Sequence, residues 1–178
     1  MNSEQFQSAK NLRNSVKIDS MHFSDIVAVK ELERANNLSV WSEVDYKNEI
    51  ERDNSVTLVA KFESKAIGFL VARLIINSTI VENFIEILNI ESKKGEVEIY
   101  NIAVREDFRG YGIGKMLLEK LFDVAKSQSV GTVWLDVRES NNNAIAFYIG
   151  QGFKVIYIRK DFYNNPSENA SVMCLKLF

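Results

Sequence analysis

The chain has 178 residues, 46 % hydrophobic and 26 % charged, with 22 Lys plus Arg against 24 Asp plus Glu for a net charge of −2. That length predicts a single domain able to bury its own core, and that composition excludes a disordered, collagen-like or wholly coiled-coil chain. The near-neutral balance supplies no basic surface for nucleic acid, the single cysteine (Cys174) forbids an internal disulfide, and the single histidine (His22) leaves neither a zinc ligand set nor a histidine-based triad.

Residues 1–19 read as a polar arm ahead of one domain over 20–178. The arm has no apolar h-region, so no signal peptide is expected. The most apolar stretch, 67–76, carries Arg73 and falls well short of the ~18 residues of a membrane span. The expectation is a cytoplasmic protein with no membrane partner. Residues 24–37 place Ile26, Val29, Leu32 and Ala35 at helical spacing. Ser42 and Asp45 form a capping-box pattern that opens a second short helix to about residue 52. Residues 56–62 cluster β-branched and apolar side chains and predict a strand, with 66–76 as its hairpin partner. Over 77–95 an extra helix, a strand extension and a lid-like insertion all remain open.

A strand is expected over 97–104, followed by a turn rich in charge and glycine. Ile113, Leu117, Leu118, Leu121, Phe122 and Ala125 then mark an amphipathic helix. Gly131 is expected to break the chain before a strand over 132–138. Residues 141–151 predict a short helix closed by Gly152. Two strands follow, over 153–159 and 170–177, joined by a connection that holds the only proline, Pro166. This order predicts a mixed α/β sheet covered by helices.

Gly110, Gly112 and Gly114 stand between a strand and a long helix. Glycines there let backbone N–H groups approach an anion, and a helix N-terminus adds partial positive charge. The alternative is a tight turn that merely permits close packing. A Walker P-loop fails, because Arg109 stands where its first glycine belongs and Met116 where Ser or Thr belongs. A dinucleotide fingerprint fails at Lys115, where a third glycine is required, although Asp136 lies about twenty residues on.

Arg109-Gly110-Tyr111-Gly112-Ile113-Gly114 resembles the R/Q-x-x-G-x-G/A pyrophosphate loop of the GCN5-related N-acetyltransferase superfamily. Its context, "YNIAVREDFRGYGIGKMLLEKLFDVAKSQSVGTVWLDVRESNNNAIAFYIGQGFKV", resembles that family's central block. Within the superfamily, "YNIAV", "WLDVRESNNNAIAFY", "IRKDFY…SENASVM" and "VWSEVDYKNEI" are similar to the bacterial branch that acetylates the α-amino group of a ribosomal protein. Two departures stand out. Asp136 replaces the branch's usual Glu, and 77–95 is longer than usual.

The resemblance implies a mostly antiparallel, splayed mixed sheet of about seven strands with helices on both faces. It implies acetyl-CoA as co-substrate, no metal, and direct attack by a primary amine. The acceptor it suggests is a protein N-terminus, with a small-molecule amine as the alternative. A non-catalytic acyl-CoA sensor is the rival from another class, and it would not need Tyr148. An ammonium group must lose a proton before it attacks, the leaving thiolate gains from a proton donor, and the oxyanion needs an N–H donor. By resemblance Tyr148 is the acid, against a tyrosine packed on the sheet. Asp136 is the base, against a solvated carboxylate paired with Arg138 or a lysine. Glu98 is the alternative base. Cofactor contacts are expected from the strand edge Ile102, Ala103 and Val104, from Arg109, Gly110, Tyr111, Gly112, Ile113, Gly114 and Lys115, and from Asn141, whose other reading is a helix N-cap. Tyr100, Asn101 and Tyr163 either line the amine side or pack.

Overall fold

The computed structural model describes residues 11–36, 38, 41–75 and 95–178. The stretch left open over 77–95 lies, apart from Gly95, outside the described residues. In chain order the elements are β1 (Lys17–Ser20), α1 (Ile26–Ala35), α2 (Glu43–Ile50), β2 (Ser55–Phe62), β3 (Lys65–Ile75), β4 (Glu96–Val104), α3 (Ile113–Ser127), β5 (Thr132–Arg138), α4 (Asn142–Gly150), β6 (Lys154–Asn164) and β7 (Ser167–Lys176). The strands form one open seven-stranded sheet in the order β1-β2-β3-β4-β5-β7-β6, and helices flank it. β4 and β5 run parallel, while β1–β2, β5–β7 and β6–β7 are antiparallel. The expected mixed α/β class and strand count therefore hold.

Two compact units make up the chain, Met1–Ala72 with Asn101–Asp123, and Arg73–Tyr100 with Val124–Phe178. In the first, Met21, Ile26, Val29, Leu32, Tyr46, Phe69, Val71 and Ala103 form one apolar cluster. α1 presents Ile26, Val29 and Leu32 inward as its spacing predicts, but Ala35 is exposed and Glu33 is buried instead. Glu33 is tolerated there because its Oε1 accepts from the Trp41 N–H and the Tyr46 hydroxyl, both at 3.0 Å. The capping box of α2 forms as read. Asp45 N–H donates to Ser42 Oγ at 3.1 Å and Ser42 N–H to Asp45 Oδ2 at 2.7 Å.

The end of the polar segment is part of the fold. Residues 11–15 are helical, Val16 is buried, and Lys17–Ser20 pair with Leu58–Lys61 of β2. Ile18 is the only apolar side chain in that strand, so hydrophobic alternation cannot reveal it. Backbone pairing at a sheet edge holds it instead. At β3, a Cβ on Gly68 would lie 2.9 Å from the carbonyl oxygen of Ala103, so only glycine fits that approach.

α3 buries Ile113, Leu117, Leu118, Leu121 and Ala125, with Phe122 half-buried. It stops at Ser127, four residues before Gly131. Ser129 adopts φ 59, and the Val130 N–H returns to the Ala125 carbonyl at 2.9 Å, a left-handed helix end made without glycine. In the second unit, the connection expected over 160–169 is instead the tip of a long hairpin. β6 continues to Asn164, the chain turns at 165–166, and Tyr163 pairs with Glu168. Charged and turn-forming residues mask these strand ends in sequence. The register shifts between Arg159 and Tyr163, where Asp161 has φ 51, so the pairing there is irregular.

Candidate active site

The glycine turn belongs to the first unit. Gly110 and Gly112 have φ 80 and 83, conformations that side-chain-bearing residues adopt only with strain. Close packing is not their reason. Among the described residues, a Cβ at Gly110 would meet nothing within 4 Å, and one at Gly112 would meet only Arg13 Cδ and Nε at 3.9 Å. The turn is thus an open cradle of backbone leading into the N-terminus of a 15-residue helix. It suits a diphosphate, because such an end offers N–H donors and partial positive charge. A side chain at either glycine would enter that cradle.

The charged groups around the turn are already engaged in this conformation. Arg109 donates from Nε to the Val104 carbonyl at 3.3 Å and from Nη2 to Asn36 Oδ1 at 2.7 Å. Lys115 is exposed and stands 3.7 Å from Glu119. Arg105 pairs with Asp107 at 2.7 Å as an exposed loop residue. Tyr111 and Gly114 are half-exposed, and Ile113 is a core residue of α3. Arg13, in the segment read as an arm, brings a further cation to Gly112, and nothing in the local sequence marks it. Ile102, Ala103 and Val104 close β4, and of these only Ala103 is buried. Asn101 points to the interior side of the strand and is buried.

The second unit gathers the proton-handling candidates. β5 alternates Val133, Leu135 and Val137 into the core and sets Trp134, Asp136 and Arg138 on the other face. Asp136 is not a solvated strand end paired with Arg138. Its side chain is 14 % exposed, and Oδ2 accepts from Arg159 Nη1 at 2.9 Å. Among the described residues, Oδ1 is buried with no hydrogen-bond partner. Burial pushes its carboxyl above the usual range, Arg159 opposes that, and Glu98 adds to it. Arg138 turns the other way. It donates to the carbonyls of Asn165 and Pro166 at 2.9 and 3.1 Å and to Glu168 at 3.1 Å, and it stacks on the Tyr163 ring at 4.1 Å. That anchors the β6–β7 hairpin tip to the end of β5. The hairpin's Tyr163 hydroxyl donates to the Asp136 carbonyl at 3.4 Å.

Glu98 accepts from the Tyr100 hydroxyl at 2.8 Å, and burial and that bond push the Tyr100 phenol up to about 12. Tyr148 is buried beside Phe153, with ring centroids 5.6 Å apart. Burial first, then the Tyr163 phenol, push the Tyr148 phenol well above its ordinary range, so it keeps its proton at neutral pH. Asn141 caps α4 by accepting from the Ala144 N–H at 3.1 Å, as its structural reading required. Cys174 is buried, and burial pushes its thiol up to about 12, which leaves it unreactive. The sequence reading missed Arg159. Its signal is only a cation within a strand whose neighbours are also charged.

Among the described residues, no group of three or more His, Cys, Asp and Glu is placed to hold a metal ion. No described helix is long and apolar enough to cross a membrane. The acetyltransferase (GNAT) family pattern matches residues 26–153. The [ribosomal protein bS18]-alanine N-acetyltransferase of Salmonella typhimurium is 30 % identical over 163 residues, covering 90 % of this chain and 97 % of that protein. Its namesake from Haemophilus influenzae is 32 % identical over 164 residues, covering 90 % and 98 %. The crystal structure of the ribosomal-protein-S18-alanine N-acetyltransferase from Escherichia coli superposes with a TM-score of 0.71 at 27 % identity, covering 91 % of this chain and 94 % of that one.

Proposed function

The chain belongs to the acetyltransferase (GNAT) family, and from that premise we propose that its acceptor is the α-amino group of a protein N-terminus, with a ribosomal protein as the substrate class. It is an N-acetyltransferase with acetyl-CoA as co-substrate. The observation that carries the acceptor is the end-to-end similarity to enzymes named for that reaction, which runs through 90 % of the chain. The domain reading is one acetyltransferase domain over 20–178, with the polar segment supplying most of β1 ahead of it.

When bound, acetyl-CoA supplies the thioester whose acetyl group the amine attacks. The backbone from Arg109 to Lys115 holds the diphosphate, with Gly110 and Gly112 supplying the open cradle. The end of β4 at Ile102, Ala103 and Val104, past the Glu96–Ile99 stretch that pairs with β5, offers backbone groups to an extended arm, and Asn141 keeps its amide nitrogen for a contact while its oxygen caps α4. Tyr148, a buried phenol that carries its proton at neutral pH, donates it to the leaving thiolate. Asp136 takes the ammonium proton at Oδ1, directly or through one water, so the amine attacks neutral. Glu98 is the second carboxylate on that face, occupied by Tyr100.

The test is thiol release from acetyl-CoA with four acceptors: a peptide with a free N-terminus, the same peptide N-acetylated, a polyamine and an aminoglycoside. Release is expected with the free peptide alone. Turnover confined to a small amine overturns the acceptor. Acetyl-CoA binding without turnover of any acceptor returns the chain to a sensor.

A further inference from the structure

We infer that Arg159 is the positioning residue of the proton acceptor: its guanidinium takes one carboxylate oxygen of Asp136, fixes the group's rotation, and leaves the other oxygen for the incoming amine or its relay water. This rests on the reading of Asp136 as the base.

The placement follows from register. Asp136 on β5 lies opposite Val172 on β7, which lies opposite Tyr157 on β6, and Arg138, Ala170 and Arg159 form the next such row. Directly opposed residues share a face of the sheet. β7 therefore contributes Val172 and Ala170 to this face, two side chains without polar groups. Arg159 lies across them and reaches Asp136 on the diagonal, with Nη1 2.9 Å from Oδ2. Its own orientation is fixed twice more. Nη2 donates to the Tyr157 hydroxyl at 3.1 Å, and the guanidinium sits over the Phe162 ring at 4.8 Å. A planar guanidinium tied at these points cannot swing to a second geometry without breaking them.

The bond is one-sided. An Arg–carboxylate pair is frequently bidentate, yet here only Oδ2 is taken, and among the described residues Oδ1 is buried without a partner. A buried acceptor left without a donor has lost its hydration with nothing in return unless something fills it. A cationic amine, or a water it donates to, fills it during turnover. Among the described residues, the titratable and charged groups on the face of Asp136 are Glu98 and Tyr100 from β4, Arg159, Tyr157 and Tyr163 from β6, and Arg138 from β5 itself, while β7 presents Val172. Arg138 is spent on the hairpin tip and Glu168, and Tyr157 on Arg159. Arg159 is thus the cation bonded to the Asp136 carboxylate, set against burial and against Glu98. Removing it raises the pH at which Asp136 ionises, so the acidic limb of the rate profile moves to higher pH.

Two readouts test this on the full chain. The first is carboxyl ¹³C NMR of protein labelled at aspartate Cγ, with Asp136→Asn to assign the signal, and it needs no turnover. In Arg159→Met, the Asp136 titration is expected to move up by about one unit, a tenfold change in proton affinity. Arg159→Lys, which keeps the charge without the fork, should fall between and serves alone where the methionine variant unfolds. The second readout is the pH dependence of acetyl transfer. Arg159→Met should lose most turnover at the acidic end and recover as pH rises, while Asp136→Asn does not recover. An unchanged Asp136 titration in the arginine variants overturns the inference. A shifted titration with unchanged turnover leaves the clamp in place and removes Asp136 from the reaction, which is the failure of the proposed mechanism instead.

Discussion

Tyr148 shows how surroundings set the protonation of a single residue. The phenol lies against Phe153, and burial pushes it further above neutrality than an exposed phenol, so it is fully protonated at neutral pH. Tyr148→Phe keeps the ring contacts and removes one hydroxyl. Turnover should fall by roughly 10²- to 10⁴-fold, the usual range for losing a general acid, with acetyl-CoA affinity close to wild type. Single-turnover kinetics beside a binding titration checks this, and wild-type chemistry in the variant would reduce Tyr148 to packing. Motif resemblance placed Tyr148 and Asp136 in sequence. It said nothing of the state of either. Asp136 is bonded to Arg159, which follows it by 23 positions and is brought near by the pairing of β5, β7 and β6.

Strand and turn geometry makes its own demands. Gly68 faces the Ala103 carbonyl, and a Cβ would meet that oxygen at 2.9 Å, inside any real contact. The obstacle is backbone, so neither partner can rotate away. Gly68→Ala should destabilise by about 1–3 kcal/mol, the usual cost of forcing atoms into a packed site. It should also weaken acetyl-CoA binding if the edge Ile102–Val104 holds the arm. Thermal melts with and without acetyl-CoA separate the two effects. The elements themselves were largely legible. The capping box of α2, the apolar step of α3 and the alternation of β5 each appear where their patterns predict, because local hydrogen bonding and burial on one face write directly into residue order. β1 and the extension of β6 were not legible. Edge and hairpin-tip strands are held by backbone bonds with polar side chains outward, so they leave no hydrophobic period.

For the whole molecule, a ligand that binds only the native state raises its melting temperature by mass action. Acetyl-CoA should do so and NADH should not, since the glycine turn departs from the dinucleotide pattern at Lys115. Gly112→Glu should abolish the acetyl-CoA effect, because it places a side chain and a negative charge in the diphosphate cradle and forces φ 83 on a residue that resists it. Differential scanning fluorimetry checks all three. Stabilisation by NADH alone would overturn the cofactor assignment.

By itself the sequence determined the fold class, the family and the cofactor. The fold class rests on the order of helix and strand patterns, and the family and the cofactor rest on the resemblance carried by the contiguous block from Tyr100 to Val155. Tertiary structure alone decided the partners of the candidate site residues. It set Arg159 on Asp136, turned Arg138 away to the hairpin, placed Arg13 beside Gly112 and tied Arg109 to Asn36. Those contacts join residues far apart in the chain. They depend on strand register and on which neighbouring side chains are small, and no local pattern encodes either.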